Sequence, residues 1–140
     1  MKITKQQLIK LLNIDLEKEY SAAIQYINHA AVMKGAMYGD IIKELKIHAN
    51  EEIQHAVILA DQIDFFSGSP SVKVDKILTA TKNEKMLQQD LMGEEDAISR
   101  YKERIVQAEA LQEFALATQL RNILAMEQEH AMDLKQALGK

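Results

Sequence analysis

The chain writes one arrangement of residues twice. Asp15, Glu19, Tyr26, Glu52 and His55 recur as Asp90, Glu94, Tyr101, Glu127 and His130, each 75 positions later. With only 4 Tyr and 4 His in 140 residues, chance does not produce such a register. An internal repeat means that one supersecondary unit is used twice, so the second half must fold much as the first does. The repeated residues are mostly of metal-ligand type. Two Glu-x-x-His pairs and two further Glu are what a dinuclear carboxylate site inside a four-helix bundle requires.

The composition fits a helical chain. Hydrophobic residues make up 47% and charged residues 27%, while Gly numbers 5 and Pro 1; so few helix breakers argue against a loop-rich or disordered polymer. A length of 140 residues suits a single core, so residues 1–140 are expected to form one domain. The absence of cysteine excludes disulfides, a four-cysteine iron centre and a thiol nucleophile. A formal charge of −4 with no basic tract leaves no electrostatic footprint for nucleic acid. The first residues lead into an amphipathic pattern without a continuous apolar run. Neither a signal peptide nor a membrane span is therefore expected, and a cytoplasmic location is.

Thr4 and Gln7 have capping-box spacing, and Leu8, Leu12, Leu16, Ala23, Ile24, Ile27 and Ala31 follow at helical intervals, predicting a helix over about 5–34. Gly35 and Gly39 bracket a break. With Asp40 as cap, Ile41, Leu45, Ile53, Val57, Leu59 and Ile63 predict a second helix over about 40–66. Gly68 and Pro70 stop it, and the irregular stretch to about Lys82 reads as a crossover. Thr81 and Glu84 repeat the capping-box spacing at the head of a third helix over about 82–109. No Gly or Pro marks its end, but subtracting the 75-residue offset from 110–114 lands on 35–39, the Gly-containing turn. A turn is expected there, followed by a fourth helix over about 113–138 closed by Gly139. The expected fold is all-α: a four-helix bundle of two antiparallel hairpins joined by a long crossover.

On a helix, residues three apart project from one face, so Glu52 with His55 and Glu127 with His130 can each address one ion. Adding Glu19 and Glu94 from the other two helices gives four carboxylates and two imidazoles, enough for two metals. Four negative charges then balance two divalent cations, which removes the cost of burying like charges together. Oxygen-rich ligation with one imidazole per ion favours iron or manganese over structural zinc. Asp15 and Asp90 lie one turn before Glu19 and Glu94, where each can accept the ring N–H of a ligating His from another helix. Tyr26 and Tyr101 lie two turns after them, where a phenol can hydrogen-bond a bridging carboxylate. His48 has Ile123 as its repeat partner, which favours packing over ligation. His29 has Arg104, which suggests an interface or surface role, and Glu51, Glu95 and Glu129 point about 100° away from the ligands beside them. The 7 Met fall mostly at apolar positions and read as packing.

At these residues the chain resembles the ferritin-like superfamily, with bacterioferritin the most similar family within it. Glu19-Tyr-Ser-Ala-Ala-Ile-Gln-Tyr-Ile-Asn-His-Ala30 is similar to that family's first helix, Glu52-Ile-Gln-His55 to its second, Asp90-Leu-Met-Gly-Glu94 to its third and Glu127-Gln-Glu-His130 to its fourth. The resemblance implies that Glu19, Glu52, His55, Glu94, Glu127 and His130 are ferroxidase ligands, with Glu52 and Glu127 bridging two irons. The pattern also departs from the family. Ile53 stands where bacterioferritin carries its haem-ligating Met, so no haem is expected, and Ile47 stands where an inner-surface His would feed a mineral core. Ten residues follow His130, too few for a fifth helix, so a dimer or other modest homo-oligomer, or a cage closed in another way, is expected.

The expected function is a di-iron ferroxidase serving iron homeostasis, holding two Fe ions per chain, with Mn as the alternative metal, and oxidising Fe(II) with O2 or H2O2. Two alternatives follow from the same site: a non-catalytic iron-storage subunit, or a peroxide scavenger resembling rubrerythrin or manganese catalase. The first would load hundreds of irons per particle. The second would turn over peroxide with an external electron donor or by disproportionation, since no cysteine is present.

Overall fold

The computed structural model describes residues 2–140. Four long helices carry the chain: α1 (Lys5–Val32), α2 (Gly39–Phe65), α3 (Asn83–Ala110) and α4 (Phe114–Ala137), with a 3-10 turn at Ala36–Tyr38. Thr4 caps α1 through a complete capping box: its hydroxyl accepts from the Gln7 N–H while the Gln7 side chain accepts from the Thr4 N–H. The expected caps of two other helices are not made. Asp40 lies in the first turn of α2 behind Tyr38, which offers no side-chain bond, and α3 starts behind Lys82, also without one. A 3-10 turn already delivers the chain to α2. Beside the start of α3, Asn83 instead clamps the chain at Lys34, donating to its carbonyl at 2.6 Å. The turn between α3 and α4 falls at 111–113, where the repeat puts it, with Gln112 supplying a positive φ of 61° in place of a glycine.

The crossover (66–82) is held by one face of α1. Asn13 bonds Ser69 and Ser71, Tyr20 donates to the Ser71 carbonyl, Ser21 to that of Lys76, and Gln25 accepts from the Leu78 N–H. These α1 residues recur at helical spacing, so an extended strap without its own ladder is tied down at intervals along its length. At the exit from α2, Gly68 sits so close to Ile9 that an added Cβ would come within 2.6 Å of its side chain, which reserves the position for glycine.

The bundle interior is apolar at both ends and polar in the middle. One cluster gathers Leu8, Leu12, Leu16, Leu59, Ile63, Leu116 and Leu120, and the other Leu45, Met86, Leu87, Leu91 and Leu134. Each fully buried leucine contributes about 1.5–3 kcal/mol, so the two caps stabilise the fold around a belt of ionisable groups. Not every apolar helical position faces inward. Ile24, Ile27, Ile53 and Val57, on α1 and α2, are 42–56% exposed. No helix among the described residues is long and apolar enough to cross a membrane.

Candidate metal centre

α1 and α3 run antiparallel side by side and supply Glu19 and Glu94. α2 and α4 do the same on the opposite seam, supplying Glu52 with His55 and Glu127 with His130. All six are at most 2% exposed. They form two overlapping sets, Glu19–Glu52–His55–Glu127 and Glu52–Glu94–Glu127–His130, whose ligand atoms lie within 4.8 Å of one another. Glu52 and Glu127 belong to both. His55 Nδ1 lies 3.2 Å from Glu52, 3.3 Å from Glu127 and 3.6 Å from Glu19. His130 Nδ1 lies 2.7 Å from Glu94, 3.4 Å from Glu127 and 3.5 Å from Glu52. Both imidazoles thus turn the same nitrogen to the centre.

Four buried carboxylates in one place repel each other. Burial, then the Glu127 charge, pushes Glu19 upward, and the same two causes push Glu52 and Glu94 well above the usual carboxylate range. Burial works against charge at Glu127 and His55 too, but their proximity wins. Glu127 is held down at about 2 beside His55 and Glu52, and His55 is raised to about 10 beside Glu127 and Glu19. Glu19 Oε2, Glu52 Oε1, Glu127 Oε1 and His55 Nδ1 are buried without a hydrogen-bond partner. Orphaned acceptors crowded at the bundle axis are costly in a folded chain unless cations fill the space between them. The donor set, four carboxylates and two imidazole nitrogens, fits two divalent cations in charge and in ligand type.

The residues around this centre are arranged differently from expectation. Asp15 and Asp90 do not touch His55 or His130. Asp15 accepts from Arg100 (2.5 Å) and Arg104 (2.7 Å), and Asp90 accepts from Gln25 (2.9 Å) and His29 (2.8 Å). The reason is the seam. Both aspartates lie between α1 and α3, whereas the far nitrogens of the two histidines point along the α2–α4 seam. There, His130 Nε2 meets Glu51 at 3.1 Å and His55 Nε2 meets the Met126 sulfur at 3.3 Å. Glu51 therefore backs a ligand instead of facing solvent alone, Met126 does more than pack, and only Glu95 and Glu129 are exposed as expected. His29 is neither on the surface nor at an interface. It is buried, with one ring nitrogen on Asp90 and the other on the Leu78 carbonyl at 3.1 Å. The tyrosines reach carboxylates, but not the shared ones: Tyr26 donates to Glu94 at 2.9 Å and Tyr101 to Glu19 at 2.6 Å, crossing the α1–α3 seam in opposite directions. Burial and the carboxylates they face, Glu94 and Glu19, keep both phenols protonated well above their ordinary range.

His48 is buried and stacks on His130, with ring centroids 4.0 Å apart. Its Nε2 lies 3.1 Å from Asp133, and burial together with His130 pushes it down to about 4. On the α1–α3 side, a cavity of about 310 Å³ between the helices and the crossover reaches Glu19, Glu52, Glu94 and Glu127. Ala22, Gly93 and Ala97 line it, and such small side chains leave that seam open enough for a small molecule to approach the carboxylates.

A model of the ferritin-like domain matches residues 9–140. The chain belongs to the ferritin-like family. Among its relatives, the bacterioferritin of Brucella melitensis is 31% identical over 125 residues, covering 89% of this chain and 78% of that one. The bacterioferritin of Mycobacterium leprae is 25% identical over 124 residues, covering 88% and 78%. Two solved structures superpose closely. A ferritin-like diiron-carboxylate protein of Bacillus anthracis gives a TM-score of 0.93 at 30% identity over 99% of both chains. A dodecameric thioferritin, the bacterioferritin-related protein of Bacteroides fragilis, gives 0.90 at 33% identity, over 99% of this chain and 88% of that one. The ferritin-like bundle is thus shared end to end with diiron-carboxylate proteins, and the buried carboxylate and histidine cluster marks this chain as iron-binding in kind.

Proposed function

We propose that this ferritin-like protein is a di-iron ferroxidase. One Fe(II) is held by Glu19 and His55, the other by Glu94 and His130, and Glu52 and Glu127 bridge them. The observation that carries this reading is the sharing of Glu52 and Glu127 between two buried ligand sets whose inward atoms have no other partner. Fe(II) is the substrate, and two such ions supply the two electrons that reduce O2 to H2O2 or H2O2 to water. The chain's own residues set up the exchange. Binding two divalent cations cancels the mutual repulsion that pushes Glu52 and Glu94 upward. Tyr26 and Tyr101 orient the two unshared carboxylates from the α1–α3 side, where the cavity offers the oxidant a way in. A homo-oligomer, dimer or larger, is supported by the exposed Ile24, Ile27, Ile53 and Val57 and by the dodecameric relative.

Loading the metal-free protein anaerobically with about two Fe(II) per chain and then admitting O2 or H2O2 tests the proposal. Fe(III) absorbance should rise at least about tenfold faster than for free iron, and Glu127→Ala should fall back to the free-iron rate. A parent protein no faster than free iron would end the ferroxidase reading. The storage alternative draws on the bacterioferritin relatives; it requires iron uptake far beyond the pair, and a plateau at the pair removes it.

A further inference from the structure

One cluster of ligand-type side chains lies outside the paired centre. Glu44 and His48 are one turn apart on α2, and Asp133 faces them from α4, one turn beyond His130; ligand atoms of the three lie within 4.8 Å of one another. We infer that Glu44, His48 and Asp133 form a third site, for a divalent transition-metal ion, filled from the groove at the α2–α4 end of the bundle.

The internal repeat serves as the control. A stripe on the inner face of a bundle helix is ordinarily apolar, and at the other end of this bundle two of the three equivalent positions are. The positions equivalent to Glu44, His48 and Asp133 are Gln119, Ile123 and Ile58, with Ile123 in the core and Ile58 packed against it. The chain therefore departs from its own repeat at three positions that meet in space, and each departure installs a ligand-capable group. A general preference for polar residues on these helices would not single out three touching positions.

The site is also built to receive something. His48 is 1% exposed, yet its Nδ1 has no hydrogen-bond partner and its Nε2 is aimed at Asp133. Neither Glu44 nor Asp133 has a Lys or Arg partner among the described residues. A groove of about 500 Å³, lined by Asp40, Glu44 and Asp133 among others, opens the two carboxylates to solvent. Two carboxylates and one imidazole suit a first-row divalent ion that keeps some of its water. Beyond His48, the ring of His130 follows at stacking distance, so Glu44, Asp133, His48 and His130 form a continuous line of donors from groove to centre. The role of this line in loading rests on the ferroxidase reading, whereas the existence of the third site does not.

Titrating the full-length metal-free protein with Co(II), together with anomalous diffraction from Co(II)-soaked crystals, tests the site. Three ions per chain are expected, the weakest within bonding distance of His48. Asp133→Asn and Glu44→Gln alter half-buried residues and should leave the fold and the two tighter ions intact while weakening the third about tenfold or more. Glu127→Ala should abolish the paired ions and keep the third, so failure of the paired centre and failure of this site give different results. Saturation at two ions in the parent, no peak at His48, or a third ion indifferent to Asp133→Asn overturns the site. In stopped flow, Asp133→Asn should also slow Co(II) entry to the paired centre several-fold, and an unchanged rate overturns the loading role.

Discussion

The α1–α2 hairpin sets Gln25 and His29 against Asp90, and at the same repeat positions the α3–α4 hairpin sets Arg100 and Arg104 against Asp15. Behind the histidines the exchange is as marked: α2 offers Glu51 to His130, whereas α4 offers Met126, its repeat partner, to His55. The ligands themselves do not differ between halves. Glu52 and Glu127 each belong to both ligand sets, so a change in one half would be felt in the other. The tyrosines that touch the unshared carboxylates, Tyr26 and Tyr101, are also the same in both halves. The residues behind the aspartates and the histidines differ, leaving two chemically different halves around one centre.

The largest test of this asymmetry is in stability. Arg104→Ala strands Asp15, which is fully buried, with only Arg100 to balance it, and should cost about 3 kcal/mol. His29→Ala leaves Gln25 donating to Asp90 and should cost about 1–2 kcal/mol. Urea midpoints compare the two directly, and equal losses would break the proposed difference between the halves.

Exchanging the residues behind the histidines sharpens the comparison. Glu51→Met should weaken the ion bound at His130 by about tenfold or more, because the ring loses the acceptor that orients its N–H and raises its basicity. Met126→Glu should tighten the ion at His55 by a similar factor. Calorimetric titration with Co(II) should then show the ratio of the two affinities shift in the same direction, toward the ion at His55, in both variants. Unmoved affinities in both would mean that the supports do not tune the centre.

The pH dependence concerns the shared belt. Without metal, Glu52 and Glu94 retain protons that the unfolded chain releases above about pH 4.3, and His55 retains its proton up to about 10. The folded state then binds more protons than the unfolded state, so stability falls as pH rises above that point, by up to about 1.4 kcal/mol per pH unit for each proton. Glu127, held at about 2, and His48, held at about 4, act in the opposite sense, but only below about pH 6.5, and they are outnumbered by the groups that retain protons. Chemical denaturation in chelator should show the decline between about pH 5 and 9, and added Mn(II) should remove it, because metal takes the place of the protons. Metal-free protein that gains stability across this range would contradict the electrostatic picture.

The smallest effect distinguishes the helix starts. Thr4→Ala should cost about 1 kcal/mol by removing the α1 capping box, while Thr81→Ala, at the position with the same spacing ahead of α3, should stay within about 0.5 kcal/mol. Thermal melts resolve the two.

By itself, the sequence determined the helical architecture and the inward group of six. Helical spacing decides which residues share a face, and a repeat carries that decision from one half to the other. This is how the turn at 111–113 is legible with neither Gly nor Pro to mark it. It could not determine which seam a polar group faces, because spacing along one helix says nothing about the neighbour it meets. Asp15 and Asp90 share a face with Glu19 and Glu94, as expected, but that face looks across α1–α3, so their partners are Arg104 and His29 and not the ligand histidines. A signal was present in the pairs Gln25/Arg100, His29/Arg104 and Glu51/Met126, all at the 75-residue offset. Their residue types differ, though, so only tertiary contact reveals their common role. Tertiary structure also decided that Glu44, His48 and Asp133 meet, while the repeat equivalents of His48 and Asp133, Ile123 and Ile58, pack with the core. Two helices must be laid side by side before residues 85 apart can touch.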